Sequence, residues 1–406
     1  MTLQLLHPVG LKSQAVNFQA LPPLSLYIHI PWCVRKCPYC DFNSHEARGD
    51  VPEAAYVDAL IRDLEMSLPQ IWGRKVYSVF FGGGTPSLLS APAIEKILSQ
   101  VRMLLPLDVN AEITLEANPG IVEADKFKLF REAGVNRLSL GIQSFNEIHL
   151  KALGRIHNSG EACHAIELAQ SYFENINLDL MYGLPEQTLE QVKQDVSIAL
   201  QFAPQHLSYY QLTLEPNTLF YRYPPSIPDA DASGDMQLQI ESKLAENGYQ
   251  HYETSAFAQP KNKSRHNLNY WQFGDYLGIG AGAHSKISSH DRVIRQTRYK
   301  QPKAYMDQTL SGSPVQTVQH LTRDDLSFEF MMNALRLNDG FSVDLFTERT
   351  SLPMVLIRGE IERAEQRGLL QHDIQHIKPT EMGRNFLNDL LEIFLKENTS
   401  NNRTSP

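Results

Sequence analysis

"HIPWCVRKCPYCDF", residues 29 to 42, places Cys33, Cys37 and Cys40 within eight positions of a 406-residue chain that has four cysteines. An odd number of close thiols at so low an overall density is not a disulfide framework. A closed structural zinc site wants a second ligand pair downstream. The remaining thiol, Cys163, stands alone in "GEACHAIELAQ", a stretch of helical periodicity in which a free cysteine reads as a small buried hydrophobe. Three soft sulfur donors that leave one coordination position open are the ligand set of a working metal centre, with zinc as the competing reading.

A [4Fe–4S] cube needs four ligands for its four irons, so three thiolates leave one iron free to bind something else. The spacing C-x-x-x-C-x-x-C, directly after the apolar run "SLYIHI" (25–30), is similar to the cluster loop of the radical S-adenosylmethionine (radical SAM) superfamily. That resemblance implies that the open iron chelates the methionine moiety of SAM. An electron from the cluster then breaks the bond from the sulfonium to the 5′-carbon.

Composition sets the outer limits. The length accommodates one large α/β unit and a small second domain, and 42% hydrophobic residues support an ordinary core. No run of 18 apolar residues occurs, and "MTLQLLHPVGLKSQAVNFQALPP" lacks the pattern of a signal peptide. A reducing, cytoplasmic setting is expected for such cysteines. The 37 basic against 46 acidic residues give a formal charge of −9, which argues against general binding of a nucleic-acid backbone.

Runs rich in β-branched and aromatic residues alternate with helical patterns. Strands are expected at 25–30, 76–81, 112–117, 136–142, 176–182 and 207–214, with amphipathic helices such as "AAYVDALIRDLEMSL" between them. Six such repeats predict a parallel sheet with helices outside, a partial (β/α)6 barrel of the α/β class, whose chemistry sits at the C-terminal ends of the strands. The cysteine loop falls on that rim. So do "GGGTP" (82–86), Glu116 in "EANPG", Gln143 in "GIQSF" and Asp179 in "NLDLMYGLP". A triple glycine alone reads as a tight turn, and each carboxylate alone as half of a salt bridge. Four consecutive strand ends carrying polar or glycine-rich groups read better as a ligand site.

Residues from about 20 to 290 resemble the HemN-like (oxygen-independent coproporphyrinogen oxidase-like) branch of the radical SAM superfamily, and within it the HemW-type haem chaperones. The resemblance rests on "YIHIPWCVRKCPYCDFNSH", "GGGTPSLL", "EANPG", "RLSLGIQSF", "LGRIH", "NLDLMYGLPEQT", "YETSAFA" and "HNLNYW", in that order. It implies cluster ligation by Cys33, Cys37 and Cys40. It further implies contacts to SAM from Tyr27, Tyr39, Gly83, Gly84, Thr85 and Glu116, and contacts from Gln143, Arg155 and Asp179 at positions that enclose a second SAM in the oxidase. Arg155 otherwise reads as a surface or helix-capping arginine. In "HNLNYW" the resemblance implies haem binding by His266, Asn267, Tyr270 and Trp271, with the imidazole on iron and the aromatics on the macrocycle; without it the segment reads as a turn with a core histidine. His284 in "GIGAGAHS" is a second candidate for the iron.

The oxidase continues its cluster motif to a fourth cysteine, where this chain has Phe42. Haem transfer is therefore the expected function, with haem and acceptor haem proteins as partners, respiratory membrane-bound ones among the candidates, and a homodimer left open. Oxygen-independent coproporphyrinogen III oxidation is the alternative. A nucleic-acid-modifying radical SAM enzyme would need a basic face that the sequence does not show.

The expected division is an N-terminal extension (1–22), the barrel domain (23–290), a linker (291–320), a mainly helical, winged-helix-like C-terminal domain (321–395) and a disordered tail (396–406).

Overall fold

The structure is a computed structural model and describes residues 16–120, 124 and 126–395. The tail 396–406 and most of the N-terminal extension lie outside the described residues. Strand β1 (Leu24–Ile30) shows why the sheet forms: Leu24, Leu26, Ile28 and Ile30 are buried against the helical layer, while Ser25, Tyr27 and His29 alternate onto the other face. That inner face is polar. Its side chains line cavities instead of closing an apolar core.

Strands β2 (Val76–Gly83), β3 (Leu107–Ala117), β4 (Arg137–Gln143), β5 (Ile176–Tyr182) and β6 (His206–Gln211) follow β1 in parallel pairing and in sequence order. The main intervening helices are α1 (Glu53–Ile71), α2 (Ala91–Leu104), α3 (Phe127–Ala133), α4 (Ser159–Tyr172) and α5 (Leu189–Gln201), with α6 (Ala230–Glu246) after β6. This is the expected (β/α)6 arrangement, and the sheet does not close. Beyond β6 it continues antiparallel through Ala256–Ala258 and Gln250–Glu253. On the other side of β1 it adds Asp275–Ile279 in parallel, then three antiparallel strands.

Two of those three strands, Arg292–Arg298 and Val315–His320, together with the helix Pro302–Leu310, come from the stretch read as a linker. Residues 291–320 are instead a built part of the sheet. The guanidinium of Arg298, fully buried, pairs with Asp63 of α1 at 3.2 Å, and the Tyr305 hydroxyl donates to the same carboxylate at 2.9 Å. Alternation in "RVIRQTR" and "VQTVQH" carries the strand signal, but its polar residues mask it.

"HNLNYW" is also not a turn. It forms the short helix Arg265–Trp271, capped by the Ser264 hydroxyl on the Asn267 N–H. The Glu112 carboxylate of β3 accepts the N–H groups of Arg265 and His266, both at 3.1 Å, where a negative charge complements the helix dipole.

The C-terminal part is built on a second hydrophobic cluster around Leu326, Phe330, Phe341, Phe346 and Leu390, which also takes in Phe273 and Val293. It combines helices Arg323–Ala334, Val343–Thr350 and Arg358–Gln366 with a small antiparallel sheet of Phe341–Ser342, His376–Pro379 and Leu370–His372. Among the described residues no helix is long and apolar enough to cross a membrane.

Candidate functional site: two cavities with a shared wall

The C-terminal ends of the parallel strands open into a cavity of ≈ 400 Å³. Cys33, Cys37, Tyr39, Cys40, Gly83, Gly84, Thr85, Glu116, Gln143, Arg155 and Asp179 all line it. The residues expected to hold the cluster and SAM converge here from five strands, with one exception: Tyr27 does not reach this cavity. Its hydroxyl meets His29 Nδ1 at 3.0 Å, and both residues line a neighbouring cavity.

The cysteine loop is fixed by backbone. Gly84 N–H donates to Ile30 O and Thr85 N–H to Trp32 O, both at 2.7 Å. A Cβ on Gly84 would stand 2.5 Å from Trp32 O and 3.1 Å from Cys33 Sγ. Gly84 is thus a glycine because the cysteine loop lies on it, a requirement apart from any ligand.

Burial raises the Cys33 and Cys40 thiol pKa values, against hydrogen bonds that lower them: for Cys33 the Thr85 side chain, for Cys40 the Phe42 backbone and the Ser44 side chain. Such thiols ionise when a cation takes them. The guanidinium of Arg155 stands 3.8 Å from Cys37 Sγ and also donates to Asn118 Oδ1 at 2.6 Å and Gly141 O at 2.7 Å. It is a wall of the cavity and not a surface or capping arginine. This donor set, three thiols with an adjacent cation in a cleft, fits a cluster with a free coordination site. Cys163 lies apart on α4, packed against the main core.

Glu116 accepts from Gly83 N–H at 3.2 Å. Burial, then the nearby Asp179 charge, push its pKa up to about 8. Asp179 accepts from Ser139 Oγ at 2.7 Å and Asn177 Nδ2 at 2.9 Å, and burial raises its pKa too. Neither carboxyl has a salt bridge among the described residues, so both remain available to a polar ligand. Gln143 ends β4 at φ 68°, a left-handed conformation that is uncommon for a non-glycine residue and turns its side chain to the rim.

The second cavity, ≈ 490 Å³, lies against the first, and Phe42, Gly83 and Glu116 line both. Here the helix Arg265–Trp271 presents His266, Asn267, Tyr270 and Trp271, with Phe80, Tyr276 and His284 completing the wall. The His266 ring lies tilted by 33° against Phe80 with centroids 4.9 Å apart. Its Nδ1 lies 3.0 Å from Ser78 Oγ, whose own proton goes to Ser25 Oγ at 2.8 Å. A hydroxyl that already donates must accept, so His266 carries its proton on Nδ1 and keeps the Nε2 lone pair free. Burial, then the Arg137 charge, lower the ring's pKa to about 3, so the imidazole is neutral at ordinary pH. The Trp271 Nε1–H is buried without a partner, and Arg336 lies 4.3 Å from the centroid of its ring.

Asn118, Asn43, Phe80 and Tyr276 were not expected as site residues. Asn118 stands in the quoted "EANPG" beside a turn proline, and this is the one signal that could have found it. Phe80 and Tyr276 belong to apolar strands, where a cavity wall and a core residue look alike in sequence.

A parallel strand–helix barrel with a three-cysteine loop after its first strand is the architecture of a radical SAM protein. Residues 27–198 match the Radical SAM superfamily, and residues 321–386 match the HemN C-terminal domain. The chain belongs to the HemW family. It is 50% identical over 379 residues to "Heme chaperone HemW" of Escherichia coli (strain K12), covering 93% of this chain and 99% of that one. It is 47% identical over 383 residues to the protein of the same name from Haemophilus influenzae, with the same coverage. Among solved structures, coproporphyrinogen III oxidase (HemN) from Escherichia coli, a radical SAM enzyme, superposes with a TM-score of 0.79 at 26% identity, over 92% of this chain and 90% of that one.

Proposed function

We propose that the protein is a haem chaperone that holds a [4Fe–4S] cluster and SAM in the first cavity and haem in the second, and delivers haem to acceptor haem proteins. The observation that carries this reading is the free Nε2 of His266, held in one tautomer by Ser78 inside an aromatic cavity. An imidazole pinned through its other nitrogen is the usual form of a metal-bound histidine.

Cys33, Cys37 and Cys40 would hold the cluster, whose chemistry when loaded is one-electron delivery to a sulfonium. Arg155 would offset the negative charge of the thiolates. Tyr39, packed with Met181 and Leu212, offers a flat apolar surface to an adenine ring. Glu116, Gln143 and Asp179 would take the ligand's hydroxyl and ammonium groups, while Gly83 and Thr85 permit close backbone approach. In the second cavity Tyr270 and Trp271 would pack on the macrocycle, and Asn267 and the Trp271 N–H supply polar contacts at its edge. His284, which lines the same cavity, would offer the iron a second imidazole. The cytoplasm is the compartment that suits three reduced thiols.

The oxidase reading is less well supported. Phe42 stands where the oxidase has its fourth cysteine, and it is an exposed aromatic at the junction of the two cavities. Anaerobic incubation with coproporphyrinogen, SAM and reductant tests this reading. No protoporphyrinogen should form, and steady turnover would return the protein to the oxidases.

A further inference from the structure

We infer that Lys36 and Lys300 form a dicationic rim at the mouth of the second cavity, which receives the two carboxylates of a tetrapyrrole and selects a dicarboxylate over a tetracarboxylate. This rests on the haem reading above and gives it an orientation.

The starting point is a charge asymmetry. The residues lining the second cavity include no lysine or arginine, and Glu116 places a carboxyl in the wall shared with the first cavity. A carboxylate driven inward would lose its water and meet another acid instead of a cation. The mouth is different. Lys300 is exposed, and its carbonyl accepts from Asn43 Nδ2, at 2.9 Å, while the preceding Tyr299 carbonyl accepts from Gly282 N–H at 2.9 Å; Asn43 and Gly282 both line the cavity. Lys36, also exposed, donates from Nζ to Phe42 O at 3.3 Å and Ser44 O at 3.1 Å, bracing the same segment of the cysteine loop, whose Phe42 and Asn43 line the cavity. An ammonium has three protons, so Lys36 keeps one for a ligand.

Neither lysine is in a salt bridge among the described residues. The nearby Arg295, in contrast, is cancelled by Glu329 at 2.5 Å. Two lysines outside any salt bridge thus stand at an opening whose lining is aromatic and holds no lysine or arginine, while Arg336 lies against the Trp271 ring and is paired with Glu253. Haem b has its two propionates on one edge, and that edge faces outward. Iron coproporphyrin, with propionates on all four rings, would have to bury two of them towards Glu116.

The test titrates the full-length protein with ferric haem, haem dimethyl ester and iron coproporphyrin III, comparing the unmodified chain with Lys300→Gln and Lys36→Gln. Lys300→Gln should weaken haem about fivefold, as for one charge-assisted contact at a solvent-exposed rim, and leave the ester unchanged. Iron coproporphyrin should bind the unmodified chain at least about tenfold more weakly than haem. Lys36→Gln should repeat the haem-specific loss; because its amine also braces the loop, iron content is measured alongside. Equal affinity for haem and iron coproporphyrin would overturn the proposal, as would both variants losing ester as much as haem. If none of the three ligands binds, the haem reading itself fails and this proposal with it.

Discussion

Gly84 lies so close to Trp32 that a single added carbon would stand 2.5 Å from the Trp32 carbonyl oxygen, with Cys33 Sγ at 3.1 Å. The glycine after the second strand is therefore part of the scaffold of the cysteine loop as well as of a ligand cavity. Gly84→Val should cost the protein its cluster, not only its affinity for SAM. Iron and sulfide after anaerobic reconstitution should fall to a small fraction of the unmodified level, whereas Glu116→Ala should retain iron. Full iron content in Gly84→Val would show that the loop yields more easily than its backbone contacts imply.

The cysteines divide three to one. Alanine at Cys33, Cys37 or Cys40 should abolish the brown chromophore, since each removes one corner ligand of a cube that holds about four irons. Alanine at Cys163, packed on α4 against the core, should leave the spectrum intact and cost at most a modest loss of packing.

Glu116 gives stability a pH signature. Its folded-state pKa of about 8 lies above the ordinary carboxyl value of 4.5, so the folded chain holds a proton there that the unfolded chain has released. That contribution is complete below about pH 4.5 and is lost as pH rises through 8. Glu116→Gln, which keeps an acceptor for Gly83 N–H, removes the titration. The melting temperatures of the two ligand-free proteins should therefore run closer at pH 5 than at pH 8, with the variant gaining on the parent by about 1 °C for each kcal/mol relieved in a chain of this length. Parallel curves would mean that Glu116 is ionised throughout.

Ser78 tests the tautomer argument without touching the cavity lining. Ser78→Ala removes the acceptor of the His266 Nδ1 proton, and haem affinity should fall about tenfold, the usual scale for an outer partner of a metal-bound histidine. The helix itself should persist, because Glu112 and Ser264 still hold its N-terminus.

Much of this architecture is legible in the chain. Five of the six strands begin within one residue of the runs read as strands, the third starting at Leu107 instead of Glu112, and the cysteine loop, "GGGTP", Glu116, Gln143, Arg155 and Asp179 do meet in one cavity. Three things escape a linear reading. The strands of 291–320 look like a connection because their exposed faces are as polar as a loop. "HNLNYW" is too short for helical periodicity to show, and the carboxylate that fixes its N-terminus, Glu112, lies more than 150 residues earlier. Tyr27 and His29, both on the inward face of β1, line the second cavity, whereas the first is lined from this part of the chain only by the cysteine loop beyond the strand.

The central claim, that the second cavity binds haem through His266, is met most directly by one titration. Ferric haem is added to the full-length protein, to His266→Ala and to His284→Ala, with absorption followed through the Soret region. The account predicts a saturable complex in the parent with the spectrum of a histidine-ligated haem, an altered and weakened spectrum in His266→Ala, and a smaller change in His284→Ala. Identical spectra and affinities in all three would contradict it.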